Sequence, residues 1–326
     1  MRRPAHQLIY THGGGRLGNQ VLRFAHWMAW ARGHEGQVEV LNFAFWPFAS
    51  YFALWREHPG CVFPVRPGRA DWLARQRARL PRGLQRRFEE RSRLQRLVQG
   101  FGRWLPTWQA IELDIPRGER LDLDDDAVFA RVARNPVTTC CGWRIDTWSQ
   151  VAAQESKLRS FFRPAPEFLQ VAQEFIGRIR QQHDLVVGVF IRQSDYREWN
   201  EGRFCFSSAA YAGWMRQLLD LHAGRRVAFV VASEVHQDPA VFTGLPYHFA
   251  TGTANVGGNW FESWVELSLC DFIVSPPSTF SATAAFLGRI PIWPVLSGDQ
   301  AMAFDQVIAD GLVGAARHPV FSLAVK

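Results

Sequence analysis

The chain contains 326 residues, which is enough for two domains of ordinary size. Hydrophobic residues make up 47% and charged residues 21% of the chain, a balance that excludes a disordered or collagen-like protein. Of the 37 basic residues, 35 are arginines, whose planar guanidinium groups suit phosphate and carboxylate ligands.

The basic charge is concentrated in one segment. Twelve arginines and three acids lie between Arg66 and Arg103, which gives this segment +9 and leaves the rest of the chain at −2. General nucleic-acid binding is therefore disfavoured. We expect helices here, broken near Pro81. The segment is interpreted either as a solvated basic surface or as a contact for an anionic membrane or an acidic or lipid-linked glycan.

The five cysteines show neither zinc-site spacing nor a disulfide framework, which favours a reduced cytoplasm. No apolar run approaches the roughly 18 residues that a membrane span needs. We therefore expect a cytoplasmic protein without a signal peptide or a transmembrane anchor, in peripheral contact with the inner face of the membrane if the basic segment binds lipid.

Strand-like and helix-like runs alternate along the chain, as in parallel sheets with crossover helices. In chain order we predict strand 8–11, helix 17–32, strand 38–43, helix 48–56, an insertion at about 66–104, helix 127–132, a helix from about 167, strands 185–191, 227–232 and 272–274, helix 282–287 and strand 290–295. The Pro164-Ala165-Pro166 break divides the chain into domains 1–165 and 166–326.

A glycine-rich loop, Gly13 to Gln20, joins the first strand to the first helix. Gly13, Gly15 and Gly18 fit a dinucleotide fingerprint, whose glycines let a pyrophosphate approach a helix N-terminus. That site also requires an acid at the end of the second strand, and residues 39–43 end without one. A nicotinamide oxidoreductase and a tight turn without a ligand both remain as interpretations.

Two later segments place polar groups where buried strands end. Strand 185–191 delivers Arg192 and Asp195 at its carboxyl end, where open parallel sheets bind ligands. The pair predicts either a diphosphate site or an ion pair that caps the strand. Strand 272–274 runs into hydroxyls that open a helix, and these would present donors to a phosphate. The hydroxyl segment is Ser278, Thr279, Phe280 and Ser281.

Together these segments resemble the fucosyltransferase superfamily, most closely the bacterial α-1,2-fucosyltransferases and more distantly the α-1,6- and protein O-fucosyltransferases. Residues 15–20 are similar to the family's opening motif. Residues 192–195 resemble its His-x-Arg-Arg-x-Asp motif, and residues 266–281 resemble its third motif. The resemblance implies a GT-B-like α/β fold with two facing Rossmann-like domains, the C-terminal one holding GDP-fucose and the N-terminal one serving the acceptor.

The resemblance also assigns roles to residues. Arg192 would bind the diphosphate, Ser278 to Ser281 would bind the donor, and Asp271 would be the acid on the guanine side. Asn19 would line the cleft from the N-terminal domain, where Gly15 and Gly18 complete the donor-binding set; the alternative for Asn19 is to close the glycine loop by bonding its own backbone. The implied reaction is an inverting, metal-independent transfer of a sugar from GDP-fucose or another GDP-sugar to a glycan or glycolipid hydroxyl, with no cofactor.

Departures from the family motif leave the donor sugar open. Phe190 stands where the motif has its histidine, and Gln193 stands where it has its second arginine. A non-catalytic nucleotide-sugar or phosphate-binding protein of this fold is therefore an alternative.

Asp195 and Glu198 are equal candidates for the base that accepts the acceptor's proton. Asp122-Leu123-Asp124 matches a metal-binding Asp-x-Asp motif, but the run 124–126 precedes a predicted helix, where carboxylates favour capping.

Overall fold

The computed structural model describes residues 5–12, 14–65, 100, 104–113 and 119–308. These residues form two compact units that divide between Ala165 and Pro166. The predicted helices of the arginine-rich segment lie outside the described residues.

The first unit is built on a five-stranded sheet in the order β3-β2-β1-β6-β4. β1 pairs in parallel with β2 and β6, β6 pairs in parallel with β4, and β3 is antiparallel to β2. A separate ribbon pairs β5 with β7 in parallel. The strands are β1 (His6–His12), β2 (Val38–Asn42), β3 (Val62–Phe63), β4 (Trp108–Glu112), β5 (Arg120–Asp122), β6 (Val137–Cys141) and β7 (Arg144–Asp146).

The helices of the first unit enclose an aromatic core. They are α1 (Leu17–Gly33), α2 (Ala53–Glu57), α3 (Asp126–Val132) and α4 (Trp148–Phe161), and a 3₁₀ helix covers Phe43–Tyr51. In α1 nearly every side chain is buried, including Phe24, Trp27 and Trp30. Phe24 packs against Trp55 with ring centroids 4.7 Å apart, in the tilted geometry that aromatic pairs prefer.

The second unit contains a five-stranded sheet in the order β10-β9-β8-β11-β12, and every pairing in it is parallel. Its strands are β8 (Leu185–Ile191), β9 (Val227–Ser233), β10 (Tyr247–Phe249), β11 (Phe272–Ser275) and β12 (Ile292–Pro294). All seven residues of β8 and of β9 are buried, as expected for central strands covered by helices on both faces.

The helices of the second unit are α5 (Pro166–Arg180), α6 (Ser208–Leu221), α7 (Trp260–Ser268) and α8 (Thr279–Gly288). Short 3₁₀ turns cover Asp195–Arg197, Trp199–Gly202, Pro239–Phe242 and Phe304–Gln306. Among the described residues, no helix has both the length and the apolar character to cross a bilayer.

The predicted α/β class with parallel sheets is confirmed, and several elements differ from the sequence prediction. The helix predicted over 48–56 is instead a 3₁₀ helix and a short α-helix, separated at Phe52, whose extended backbone bridges to Pro164. Strand β6, which lies beside β1 in the sheet, was not predicted.

The acidic run at 122–126 is used for local structure. Asp125 caps α3 by accepting a hydrogen bond from the backbone nitrogen of Ala127 at 2.8 Å, so the predicted capping is confirmed. Asp124 accepts hydrogen bonds from Thr147 and Ser149 at the start of α4, at 2.6 and 2.8 Å. These hydroxyls lower the pKa of Asp124, although partial burial opposes them.

Candidate functional site

The carboxyl edge of the second sheet collects polar side chains from three adjacent strands. Arg192 follows β8, Glu234 follows β9, and Ser278 follows β11 before α8 begins. Because these strands are parallel, their carboxyl ends meet at one edge, which is where open α/β sheets bind ligands. This edge is the candidate functional site.

Arg192 is a buried cation held between two acids. Its Nη2 donates to Asp195 Oδ2 at 2.7 Å, and its Nη1 lies 3.5 Å from Glu234 Oε2. Its guanidinium carbon lies 5.3 Å from the centroid of the Tyr196 ring. Arg192 is only 9% exposed, and its Nε has no hydrogen-bond partner within the described parts of the chain. The ion pair offered by the sequence as an alternative therefore forms.

The predicted hydroxyl segment divides into a capping part and a structural part. Ser278 caps α8 by accepting a hydrogen bond from the backbone nitrogen of Phe280 at 3.2 Å. Thr279 and Phe280 are half-buried in the first turn of α8. The N-terminus of α8 thus lies at the candidate site, and helix N-termini attract anions.

Ser281 connects α8 to the end of β11. It is completely buried, and its hydroxyl lies 2.6 Å from Ser275 Oγ and donates to the carbonyl of Ser278 at 3.1 Å. These bonds tie the first turn of α8 to the end of β11. The Ser281 hydroxyl is thus bonded inside the protein, and the role of Ser281 in donor binding stays a prediction.

Phe190 and Gln193, the two departures from the family motif, both contact neighbouring residues of the second unit. Phe190 stacks on Phe280 with ring centroids 4.9 Å apart and an interplanar angle of 26°. The Gln193 side chain donates to the carbonyl of Phe206 at 2.8 Å and accepts from Gln237 Nε2 at 3.0 Å. The two motif positions therefore contribute an aromatic stack and an amide network in place of cationic groups.

Asp271 lies at the other edge of the sheet, so the structure does not bring it together with Arg192, and its assignment to the guanine side stays a prediction. It precedes β11, and its carboxylate accepts a hydrogen bond from the backbone nitrogen of Val186 near the start of β8. Val186 lies six residues before Arg192, a distance of roughly 20 Å along an extended strand. The carboxylate is also paired with Arg180 in a two-bond contact with both distances 3.0 Å.

The two candidate bases differ in their surroundings. The side chain of Asp195 is half-exposed but paired with Arg192. Glu198 is exposed between two 3₁₀ turns. The next turn contains Asn200 and Glu201 with positive φ angles of 50° and 58°. Non-glycine residues rarely adopt this left-handed conformation, and it often marks functional loops.

Glu266 supports the loop that follows β10. It is fully buried in α7 and accepts hydrogen bonds from the backbone nitrogen of Thr251, at 3.0 Å, and from the Thr251 hydroxyl. Burial raises the pKa of Glu266 to about 7, although the bonds from Thr251 oppose the shift.

In the first unit, the glycine loop is closed by two side chains of α1. Gly14 and Gly15 have positive φ angles of 69° and 74°. A Cβ at Gly15 would lie 1.7 Å from Asn19 Nδ2, so any larger residue would displace that amide and would also be strained by the positive φ. Gln20 Nε2 donates to the carbonyl of Gly14 at 2.7 Å, and Gly18 is buried in the first turn of α1. The roles predicted for Gly15, Gly18 and Asn19 in substrate binding stay predictions.

Sequence reasoning missed Glu234 and Gln20. The signal for Glu234 was present, because it follows a predicted buried strand as Arg192 does. Gln20 lies in the quoted loop motif, but only the structure shows its bond to Gly14.

No protein-family model matches the sequence, and a search of curated proteins finds no relative. Solved structures do match. A mutant form of FUT1 from Arabidopsis thaliana, in complex with GDP, is 15% identical with a TM-score of 0.54, covering 93% of this chain and 73% of that one. POFUT1 in complex with GDP is 13% identical with a TM-score of 0.50, and the match covers 88% of this chain and 95% of that one. This chain shares the fold of these fucosyltransferases.

Within the described residues, no group of three or more His, Cys, Asp and Glu side chains is arranged to hold a metal ion. The acids of the Asp-x-Asp sequence already have protein partners. Asp124 binds the start of α4, and Asp122 lies 3.4 Å from Arg120.

Proposed function

We propose that this protein is a glycosyltransferase that moves a sugar from a GDP-sugar to a hydroxyl of a glycan or glycolipid. Fucose from GDP-fucose is the sugar we propose. One observation carries the proposal. The buried Arg192 follows β8, and the capped N-terminus of α8 follows the neighbouring strand β11, so both lie at the carboxyl edge of the second sheet. FUT1 and POFUT1 share this fold. Both of those structures are complexes with GDP.

Arg192 and the N-terminus of α8 would bind the diphosphate. As the bond between the sugar and the phosphate breaks, negative charge develops on the departing diphosphate. A guanidinium and free backbone N–H groups stabilise that charge more than they stabilise the bound donor, which lowers the barrier. Only Ser278, Thr279 and Phe280 of the hydroxyl segment remain in the proposed donor site, since Ser281 is used internally.

We assign the acceptor's proton to a carboxylate that acts as a general base. Asp195 and Glu198 are both candidates, because an entering diphosphate would release Asp195 from its pair with Arg192. Asn19, Gly15 and Gly18 of the first unit are proposed to serve substrate binding. Metal independence is part of the proposal, and the use of Asp122, Asp124 and Asp125 in local structure supports it. Loss of activity in EDTA with recovery in manganese would contradict it.

The direct test is a panel of nucleotides in a thermal-shift assay, followed by donor turnover. GDP should raise the melting temperature by mass action, whereas UDP and NAD should leave it unchanged. NAD lacks its usual acidic partner, because β2 ends at Asn42, whose Oδ1 accepts a hydrogen bond from Phe45 N at 3.1 Å. Stabilisation by NAD alone would overturn the proposal in favour of an oxidoreductase.

A non-catalytic nucleotide-sugar-binding protein is the second candidate. It is favoured by the replacement of the motif's cationic groups with the Phe190 stack and the Gln193 network. Stabilisation by GDP without hydrolysis or transfer from GDP-fucose and other GDP-sugars would support this candidate over the enzyme.

We also propose a cytoplasmic location with peripheral contact to anionic membrane through the arginines between Arg66 and Arg103. The charge pattern of the sequence supports this contact. The double variant Arg86→Glu with Arg87→Glu should bind anionic liposomes less at low salt. Unchanged partition would leave only a solvated basic surface.

A further inference from the structure

Glu234 makes contacts that neither the sequence motifs nor the proposed reaction account for. Its Oε1 accepts three hydrogen bonds from the segment that follows Arg192. The donors are the backbone nitrogens of Gln193 and Ser194, at 3.1 and 3.0 Å, and Ser194 Oγ at 2.8 Å. One carboxylate oxygen at the end of β9 thus holds the backbone that leaves β8.

The second oxygen of Glu234 faces the guanidinium. Oε2 lies 3.5 Å from Arg192 Nη1, it is buried, and it has no hydrogen-bond partner in the described part of the protein. The side chain of Glu234 is only 20% exposed, so water screens this charge less than it would at the surface. Glu234 therefore fixes both the backbone after Arg192 and one side of its guanidinium.

Asp195 contacts the same guanidinium, but its side chain is more exposed to water than that of Glu234. Its side chain is 50% exposed and can turn into water when an anion arrives. Glu234 cannot turn away without breaking three hydrogen bonds. An entering diphosphate would therefore displace Asp195 and leave Glu234 in place.

We propose that Glu234 is a positioning residue: it holds the segment 192–194 so that the Arg192 guanidinium faces the diphosphate at the carboxyl edge of the sheet. This inference rests on the proposed function, since it takes GDP as the ligand of Arg192. Glu234 acts through Arg192, and its effect on GDP binding requires the intact guanidinium.

A double-mutant cycle tests this coupling, with GDP affinity measured by calorimetry and melting temperature measured in parallel. Glu234→Ala should weaken GDP binding at least tenfold when Arg192 is present, and less than twofold in an Arg192→Lys background. Glu234→Gln keeps an oxygen that accepts the three bonds, so it should restore GDP affinity to within about threefold of the parent. Asp238→Ala is the matched control, because Asp238 caps a 3₁₀ turn in the same loop without contacting Arg192.

The possible results distinguish failure of the positioning role from failure of the proposed function. An equal loss of GDP affinity from Glu234→Ala in both backgrounds, or no loss in either, would overturn the positioning role while leaving the proposed function intact. A comparable loss in Asp238→Ala would do the same, because it would show that any disturbance of this loop weakens binding. A folded parent protein that does not bind GDP would overturn the proposed function, and the positioning role with it.

Discussion

Replacing Glu266 by glutamine should flatten the dependence of stability on pH. Glu266 lies buried in α7 with a pKa raised to about 7, whereas a glutamate in the unfolded chain has its ordinary pKa of about 4.5. The folded protein therefore keeps a proton that the unfolded chain loses. The stabilising contribution is complete below about pH 4.5 and is lost as pH rises through about 7.

The change in the free energy of unfolding follows from the difference between the pKa of Glu266 in the folded and unfolded states. At 1.36 kcal/mol for each pKa unit, the difference between the two states corresponds to about 3 kcal/mol lost between pH 4.5 and 7. Glutamine does not titrate, and its amide can both accept a hydrogen bond from the Thr251 nitrogen and donate one to the Thr251 hydroxyl. The free energy of unfolding of Glu266→Gln should therefore increase relative to that of the parent as pH rises, by up to about 3 kcal/mol above pH 7.

Urea unfolding of parent and variant at half-unit steps from pH 4.5 to 8 measures this difference. Glu174→Gln makes the same change of charge at an exposed position of α5 and controls for net charge. Parallel stability curves for the parent and Glu266→Gln over this range would refute the reasoning, because they would show that Glu266 ionises alike in both states.

Four further substitutions separate structural residues from ligand-binding ones. Asp271→Asn should cost about 1 kcal/mol by weakening the pair with Arg180 and should leave GDP affinity unchanged, as urea unfolding and calorimetry would show. Ser281→Ala should likewise cost about 1 kcal/mol with no loss of GDP affinity, whereas Ser278→Ala should lose about 1 kcal/mol of capping and also bind GDP more weakly. Asn19→Ala should lower turnover in a transfer assay while GDP affinity stays nearly intact, and a large loss of affinity would instead place Asn19 in the donor site.

The sequence predicts the central strands of the second sheet because they are continuous apolar runs. Residues 185–191 contain no charged or strongly polar side chain, which is typical of a strand covered on both faces. The same run predicts that Arg192 stands at its carboxyl end, as the structure shows. Strand β6 is not predicted because Thr138 and Thr139 interrupt its apolar character, unlike the continuous apolar run of β8.

The location of two predicted site residues depends on their position within an element. Asp271 precedes its strand, so the parallel topology places it at the amino edge, whereas the family resemblance assigns it to the donor site. Ser281 belongs to a cluster of hydroxyls in the sequence, but only the rotation of α8 decides which of them faces the core. The sequence predicts Asp195 as a partner of Arg192, but the contact with Glu234 depends on which strands are neighbours, and a single sequence does not specify that order.

The most direct test of the account is GDP affinity and melting temperature for Arg192→Ala beside Asp195→Ala. If Arg192 holds the diphosphate, its loss should weaken GDP binding strongly and slow transfer about a hundred- to thousandfold, and Arg192→Lys should recover little, because an ammonium cannot make two parallel bonds to phosphate oxygens. Asp195→Ala should keep GDP affinity near that of the parent, since the half-exposed carboxylate is displaced by the ligand. A folded Arg192→Ala protein that binds GDP as tightly as the parent would contradict the donor site and the proposed glycosyltransferase.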